Sequence, residues 1–240
     1  MINSLFDTTD SRSYYWTFPI VAMVVQIAMY FSGVQLLVEI VCPSVNWEFG
    51  SIENLQLLTI LGIVIISIFG VIRKSTMIEK LGFAFLSLFS IFVLGEETDW
   101  GAHYVLHYTG DKSTFFSELV GQTNIHNYGG HAKWFKRPVY GIMILLFIAL
   151  PFFRQKLTHP FLQYITPNPL ITGTALITLF ADLIPRFIVK LGLREDGGLG
   201  VNIGEFAEIM VYYTFALYVF EIVFEKTFEW SVFRKKTTTF

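Results

Sequence analysis

The run from Leu81 to Leu94 contains only apolar residues, glycine and serine, and it leads directly into Gly95-Glu-Glu-Thr-Asp-Trp-Gly101. A helix that crosses a bilayer needs about 20 mostly apolar residues, and similar runs recur along the chain. Ionisable groups at the end of such a helix are costly and mark functional sites by default. The sequence therefore predicts a bundle of membrane-length helices with a site at the end of one of them.

The composition supports this class of protein. Hydrophobic residues make up 53% of the chain and charged residues 15%, whereas a soluble domain has roughly 25% charged residues. The 25 Phe and five Trp suit a lipid-facing surface with aromatic residues at its borders. A net charge of -2 gives no sign of a nucleic-acid partner. The single cysteine, Cys42, excludes an internal disulfide and a cysteine metal cluster. We expect one all-α integral membrane domain over residues 1–240.

Six segments have the length and composition of spanning helices: 17–41, 55–72, 78–97, 138–153, 168–190 and 204–225. The connection 108–137 is polar and aromatic, which favours an interfacial or re-entrant loop. Six spans place both termini on one side of the membrane. Lys and Arg are more frequent in the termini and the even-numbered loops than in the odd-numbered loops. The termini are therefore expected in the cytoplasm, with 108–137 outside.

This topology places the ionisable groups of the predicted spans near one depth, at the outer side of the membrane. They are Glu39, Glu96, Glu97, Asp99, Asp182, Arg186, Glu205 and Glu208. Isolated charges in lipid are driven toward a common polar interior. We therefore expect the third, fifth and sixth spans to adjoin, with Glu96, Asp182 and Glu205 at similar depth.

Helical geometry separates the two adjacent acids of the third span. On a continuous helix, Glu96 shares a face with Trp100 and His103, within roughly 60°. Glu97 points about 100° away from Glu96. This favours Glu96 as the inward group, and a break at either neighbouring glycine would re-aim both acids. The alternative interpretation is a solvated helix end without function.

Two charged pairs on the last two predicted spans admit a structural and a functional interpretation. Glu205 and Glu208 lie one turn apart on one face, which Tyr212 extends, and they suit either a site or the positive end of the helix dipole. Asp182 and Arg186 have the spacing of an intrahelical ion pair. Alternatively, Arg186 binds a phosphate or carboxylate headgroup through two hydrogen bonds.

The loop residue His126 lies between Asn124 and Asn127, which suits a metal ligand or general base, although a loop histidine is often simply exposed. Carboxylates and imidazoles without a thiolate suit Zn, Mn or non-haem Fe. The chain contains no HExxH, GxSxG or P-loop motif. The predicted ligands of a divalent metal are Glu96, His103, His126 and Glu205.

The strings Gly95-Glu-Glu-x-x-Trp-Gly101 and Thr123-Asn-Ile-His-Asn127 resemble segments of an uncharacterised group of bacterial multi-pass membrane proteins. The acid-rich start of the last predicted span is similar to that group as well. The chain departs from the group at Ala102-His103, where Gln-Arg is expected. The resemblance favours Glu96, Glu97, Trp100, His126 and Asn127 as site residues and implies the bacterial cytoplasmic (inner) membrane. It names no reaction.

These observations predict an integral membrane enzyme, a metal-dependent hydrolase or lipid-modifying enzyme, acting at the outer face on a lipid or lipid-linked substrate. The predicted acid/base groups are Glu96, Glu97, His126, Glu205 and Glu208. The predicted substrate-binding residues are Trp100, Asn124, Asn127, Asp182 and Arg186. Membrane lipids are the expected partners. Two alternatives stay open: a proton or cation pathway or transport subunit, and a non-catalytic subunit that docks a partner through the 108–137 loop.

Overall fold

The computed structural model describes residues 13–45, 47–111, 114, 117–118, 132–181, 183–192 and 204–228. Every regular element among them is helical, so the predicted all-α class is confirmed. Short π-helical and 3₁₀ segments flank several of the α-helices. In chain order the α-helices are α1 Phe18–Tyr30, α2 Gln35–Val41, α3 Ser51–Arg73, α4 Met77–Glu97, α5 Ala102–Thr109, α6 Ala132–Ile142 (continued by π-helical Met143–Ala149 and by Leu150–Phe152), α7 Pro160–Ile165, α8 Pro169–Ala181, α9 Leu183–Lys190 and α10 Glu205–Phe220 (continued by π-helical Glu221–Glu225).

Within the described parts of the chain, three helices are long and apolar enough to cross a membrane: α3, α4, and α10 with its π-helical continuation. They correspond to the predicted spans 55–72, 78–97 and 204–225. The other three predicted spans contain shorter apolar helices, so the number six is not confirmed. These shorter helices are Tyr14–Tyr30, Arg137–Phe152 and Pro169–Ala181.

The shorter helices have local causes. The first predicted span is interrupted after Tyr30, where Gly33 adopts a left-handed φ of 70°, which glycine accepts without steric cost. In the fourth, Pro138 lies inside α6 and a π-helical stretch follows. The fifth predicted span contains α8 and α9 on either side of residue 182, which lies outside the described residues.

Helix α10 lies at the centre of the bundle and α4 at its periphery. The apolar stretch of α10 is 61% buried, against 33% for α3 and 17% for α4. Phe206 and Met210 of α10 join a core with Met23 of α1 and Val38 of α2. The outward face of α4 carries exposed Phe85 and other large apolar side chains, as expected of a surface that faces lipid.

The chain direction brings three helix termini together. Helices α3 and α4 are joined by only three residues and are antiparallel, and Gly70 of α3 leaves room for the Phe83 ring of α4. Gln56 of α3 contacts Glu205 of α10, so the starts of these helices are neighbours. We call the end formed by the starts of α3 and α10 and the end of α4 the acidic end. The opposite end, where α3 and α10 finish and α4 begins, is the paired end.

Candidate carboxylate–histidine site

A left-handed turn follows α4. Asp99 and Trp100 have positive φ values of 49° and 50°, and Gly101 follows at 87°. Left-handed backbone costs roughly 1–2 kcal/mol for each non-glycine residue, and a bulky residue there is an outlier. Helix α4 ends at Glu97, as the predicted span 78–97 does, so His103 belongs to a separate helix. The condition of a continuous helix, on which the shared face of Glu96, Trp100 and His103 depended, is therefore not met. Such strain persists only where the surrounding contacts over-determine the conformation.

The side chain of Trp100 folds back over the end of α4. Its indole nitrogen donates a hydrogen bond to Oε1 of Glu96 at 2.6 Å, and Glu96 is buried. A Cβ atom at Gly95 would approach the indole ring to 2.8 Å, so the glycine makes room for the ring. The Phe92 ring contacts the Trp100 ring edge-on, with the ring centroids 5.8 Å apart. The glycine–acid–tryptophan motif therefore builds a compact turn.

Glu97 connects α4 with α10. The Tyr212 hydroxyl donates a hydrogen bond to Oε1 of Glu97 at 2.6 Å. Glu205 and Glu208 lie within electrostatic range of the same tyrosine. The two adjacent acids thus have different surroundings, as their expected angular separation implies: Glu96 binds the tryptophan of the turn and Glu97 joins the acids of α10.

Helix α3 contributes two buried polar residues that the sequence interpretation did not include. Gln56 donates from Nε2 to Oε2 of Glu205 at 3.1 Å and to its carbonyl oxygen at 3.2 Å. Glu53, 5% exposed, lies within electrostatic range of Glu205, Glu97 and Glu208. Among the described residues, Glu53 makes no side-chain hydrogen bond and no ion pair. The charged groups that influence its carboxyl group are thus other carboxylates, including Glu48.

A histidine and two further acids lie beside this cluster. Nδ1 of His103 is 3.5 Å from Oε2 of Glu48. Ligand atoms of Glu48, Asp99 and His103 all lie within 4.8 Å of one another. Neither ring nitrogen of the buried imidazole makes a hydrogen bond with a described residue. Burial lowers the pKa of His103 below its ordinary value, while the charge of Asp99 acts in the opposite direction.

Aromatic packing fixes the short turn that carries Glu48. The Phe49 ring packs against His103, Tyr104 and His107 of α5, with ring distances of 6.0, 5.4 and 4.8 Å. The following Gly50 lies directly against the backbone of Val41, where a Cβ would collide with the carbonyl group. These contacts hold the 3₁₀ turn Trp47–Phe49 beside the first turn of α5.

The structure brings together part of the predicted site. Glu97, Glu205 and Glu208 lie near Tyr212, and Trp100 contacts Glu96. Among the described residues, the group with metal-ligand spacing contains His103 but neither Glu96 nor Glu205 from the predicted set. Glu39 instead bonds Ser44 and Gln35 at the surface. The predicted residues Asn124, His126, Asn127 and Asp182 lie outside the described residues, and Arg186 is described only as part of the backbone of α9.

Sequence reasoning missed Glu48 and Glu53 for a specific reason. The second predicted span began at residue 55, after both acids, so neither was counted as a membrane-end group. The expectation that acids at the predicted outer side of the membrane lie at one depth applies to them as well. Glu48 lies just before the second span and Glu53 in its first turn, and this span starts at the predicted outer side. Gln56 offered no signal beyond its position near that start.

The assembled groups suit two kinds of chemistry. Carboxyl groups beside a tyrosine hydroxyl are typical acid/base partners. Carboxylates with a neutral imidazole are typical ligands of divalent transition metals. Comparison of the chain with protein-family models, curated proteins and solved structures finds no match.

Proposed function

We propose that this protein is an integral membrane enzyme that modifies a lipid or lipid-linked substrate by acid–base chemistry at the acidic end of its bundle, assisted by a divalent metal. The proposal includes a location in the bacterial cytoplasmic membrane with the acidic end outside. The observation that carries it is the placement of Glu53, a buried carboxyl group among other carboxyl groups.

The loss of stability that comes from burying Glu53 in this way argues for a functional role of the residue. A buried ionisable group is stabilising only when it is paired and hydrogen-bonded. Glu53 makes no such contact with the described residues, and Glu97, Glu205 and Glu208 lie within electrostatic range of it. A group that weakens the fold in this way fits an acid or base that acts on a substrate. Glu97, Glu205 and Glu208 are its proposed partners, with Tyr212 orienting Glu97.

The surface of α4 supports a substrate from the bilayer. This helix is the least buried of the three long helices, and it leads directly to Glu96 and Glu97. A lipid diffusing along the bundle would therefore meet the acidic end without crossing water. Trp100 is proposed as an apolar wall of the site. Arg186, with Asp182, is proposed to bind a headgroup, and His126 with its flanking asparagines to complete the site from the loop.

A continuous proton or cation pathway along α3 has less support in the described residues. Between Gln56 and Ser67, the buried positions of α3 are Ile60, Ile63 and Val64. This interval corresponds to about 16 Å at 1.5 Å per residue. Carriers through the bilayer centre need polar steps at shorter intervals, and the buried positions of α3 provide none there.

Lipid analysis of producing cells tests the proposal. Membranes containing wild-type protein, Glu53→Gln or Glu39→Gln at equal levels would be extracted and their lipids compared by mass spectrometry. Glu39 is the matched control because it lies at the surface and bonds Ser44. We expect wild type and Glu39→Gln to change the same lipid species, and Glu53→Gln to abolish the change. No change with wild type, together with proton or cation flux in vesicles that Glu53→Gln removes, would contradict the enzyme and support a pathway.

A further inference from the structure

We propose a binding site for one divalent transition-metal ion formed by Glu48, Asp99 and His103. Their ligand atoms lie within 4.8 Å of one another, and they come from three separate elements: the 3₁₀ turn before α3, the left-handed turn after α4 and the first turn of α5. This site names the ligands of the metal in the proposed function. Its role in catalysis rests on that proposed function. It replaces the predicted ligands Glu96 and Glu205.

An independent observation points to a ligand at this place. The His103 side chain is 4% exposed, and neither of its ring nitrogens makes a hydrogen bond within the part of the chain that the structure describes. More than nine-tenths of buried polar groups have such a partner. The ring is aimed at the acids, because Nδ1 is 3.5 Å from a Glu48 oxygen. A metal ion bound to this nitrogen would account for an imidazole that the fold otherwise leaves unsatisfied.

The three ligand side chains need to move only slightly closer together to bind a metal ion. Ligand atoms around one tetrahedral ion are about 3.4 Å apart when each lies 2.0–2.2 Å from the metal. The most distant pair, at most 4.8 Å apart, must therefore approach by up to about 1.4 Å. The Glu48 side chain is 28% exposed, so this ligand is less tightly packed than His103, which is 4% exposed. Phe49 holds the turn of Glu48 against His103, which limits how far the ligands can separate.

The donor set defines the class of ion. Two carboxylates and one imidazole, without a thiolate, suit Zn²⁺, Mn²⁺ or Fe²⁺, whereas Ca²⁺ and Mg²⁺ prefer oxygen ligands alone. Three protein ligands leave a coordination position for water or a substrate oxygen. Glu53 lies within electrostatic range of Glu48, so the metal would belong to the same site as the carboxylate cluster.

Metal titration of the full-length chain tests this inference. The detergent-purified protein would be stripped with a chelator, and Zn²⁺, Mn²⁺ and Ca²⁺ would be added separately in a calorimeter. We expect one Zn²⁺ or Mn²⁺ ion per chain and markedly weaker Ca²⁺. Asp99→Asn and His103→Gln should each weaken binding at least about tenfold. Asparagine tolerates the left-handed backbone of residue 99, so Asp99→Asn retains the turn. His107→Gln is the matched control, since His107 also packs on Phe49, and it should bind as wild type does.

Three results would overturn the site: no Zn²⁺ or Mn²⁺ bound by wild type, equal binding by His103→Gln and wild type, or Ca²⁺ bound as tightly as Zn²⁺. The readout does not depend on activity, so the two proposals fail separately. Lost metal binding with a Glu53-dependent lipid change would leave a metal-free acid/base enzyme. A confirmed metal site without any lipid change would overturn the enzyme alone.

Discussion

The buried charged groups at the two ends of the bundle have different partners. At the paired end, opposite charges meet: Lys74 lies 3.9 Å from Glu79, and Lys226 lies 3.0 Å from Glu221. The Tyr164 hydroxyl also donates a hydrogen bond to Glu79 at 2.6 Å. At the acidic end, Glu96, Glu97 and Glu205 accept hydrogen bonds from an indole, a hydroxyl and an amide group. Glu53 has no such donor among the described residues and lies within electrostatic range of other acids.

This difference separates polar groups that stabilise the fold from polar groups that destabilise it. A buried ion pair with its hydrogen bonds satisfied holds its elements in place, and breaking it is strongly destabilising. A buried acid among acids works against the fold and is retained for another reason, commonly activity. The following substitutions test whether the two ends obey this distinction.

Glu221→Gln at the paired end should have the largest effect. Glu221 accepts a hydrogen bond from the backbone nitrogen of Asn168 at 3.0 Å and pairs with Lys226. Burial lowers the pKa of Lys226, and the charge of Glu221 opposes that shift, so the lysine depends on this partner. We expect the free energy of unfolding in detergent to fall by about 3 kcal/mol. Glu225→Gln, at an exposed neighbouring position, should change it by less than about 0.5 kcal/mol. Equal effects of the two would contradict the pairing.

Gly95→Ala should disturb the acidic end through packing. The added Cβ would meet the Trp100 ring at 2.8 Å, and overpacking of this kind costs about 1–3 kcal/mol. Gly82→Ala is the matched control on the same helix, because nothing lies within 4 Å of its Cβ position. That control should be neutral or stabilising by up to about 1 kcal/mol. Thermal unfolding of both variants measures the difference, and identical behaviour would argue against the folded-back tryptophan.

Tyr212→Phe should have a smaller effect on stability. It removes the hydrogen bond to Glu97, and a hydrogen bond to a charged group contributes about 1.5–3 kcal/mol. Glu97 is only partly buried, so water can replace the hydroxyl and the expected loss is about 1 kcal/mol. Denaturant unfolding measures it. A loss above about 3 kcal/mol would mean that this contact is structural, like those at the paired end.

The sequence was sufficient for the helices whose apolar runs were long and uninterrupted, as in α3, α4 and α10. It was insufficient where a local break decided the length, as at Gly33. The left-handed turn was not predictable, because Asp99 and Trp100 adopt that backbone only under tertiary constraint from contacts such as those at Gly95. Glu48 and Glu53 were not predicted as site residues because the hydropathy pattern placed the start of the second span at residue 55, after both of them.

Glu53→Gln tests the central claim most directly through the free energy of unfolding in detergent. The substitution keeps the shape of the side chain and removes its ionisable group. Because Glu53 burdens the fold, we predict stability equal to wild type or up to about 2 kcal/mol higher. A loss comparable to that of Glu221→Gln would show that Glu53 is a structural residue, and it would contradict the account of the acidic end as a functional site.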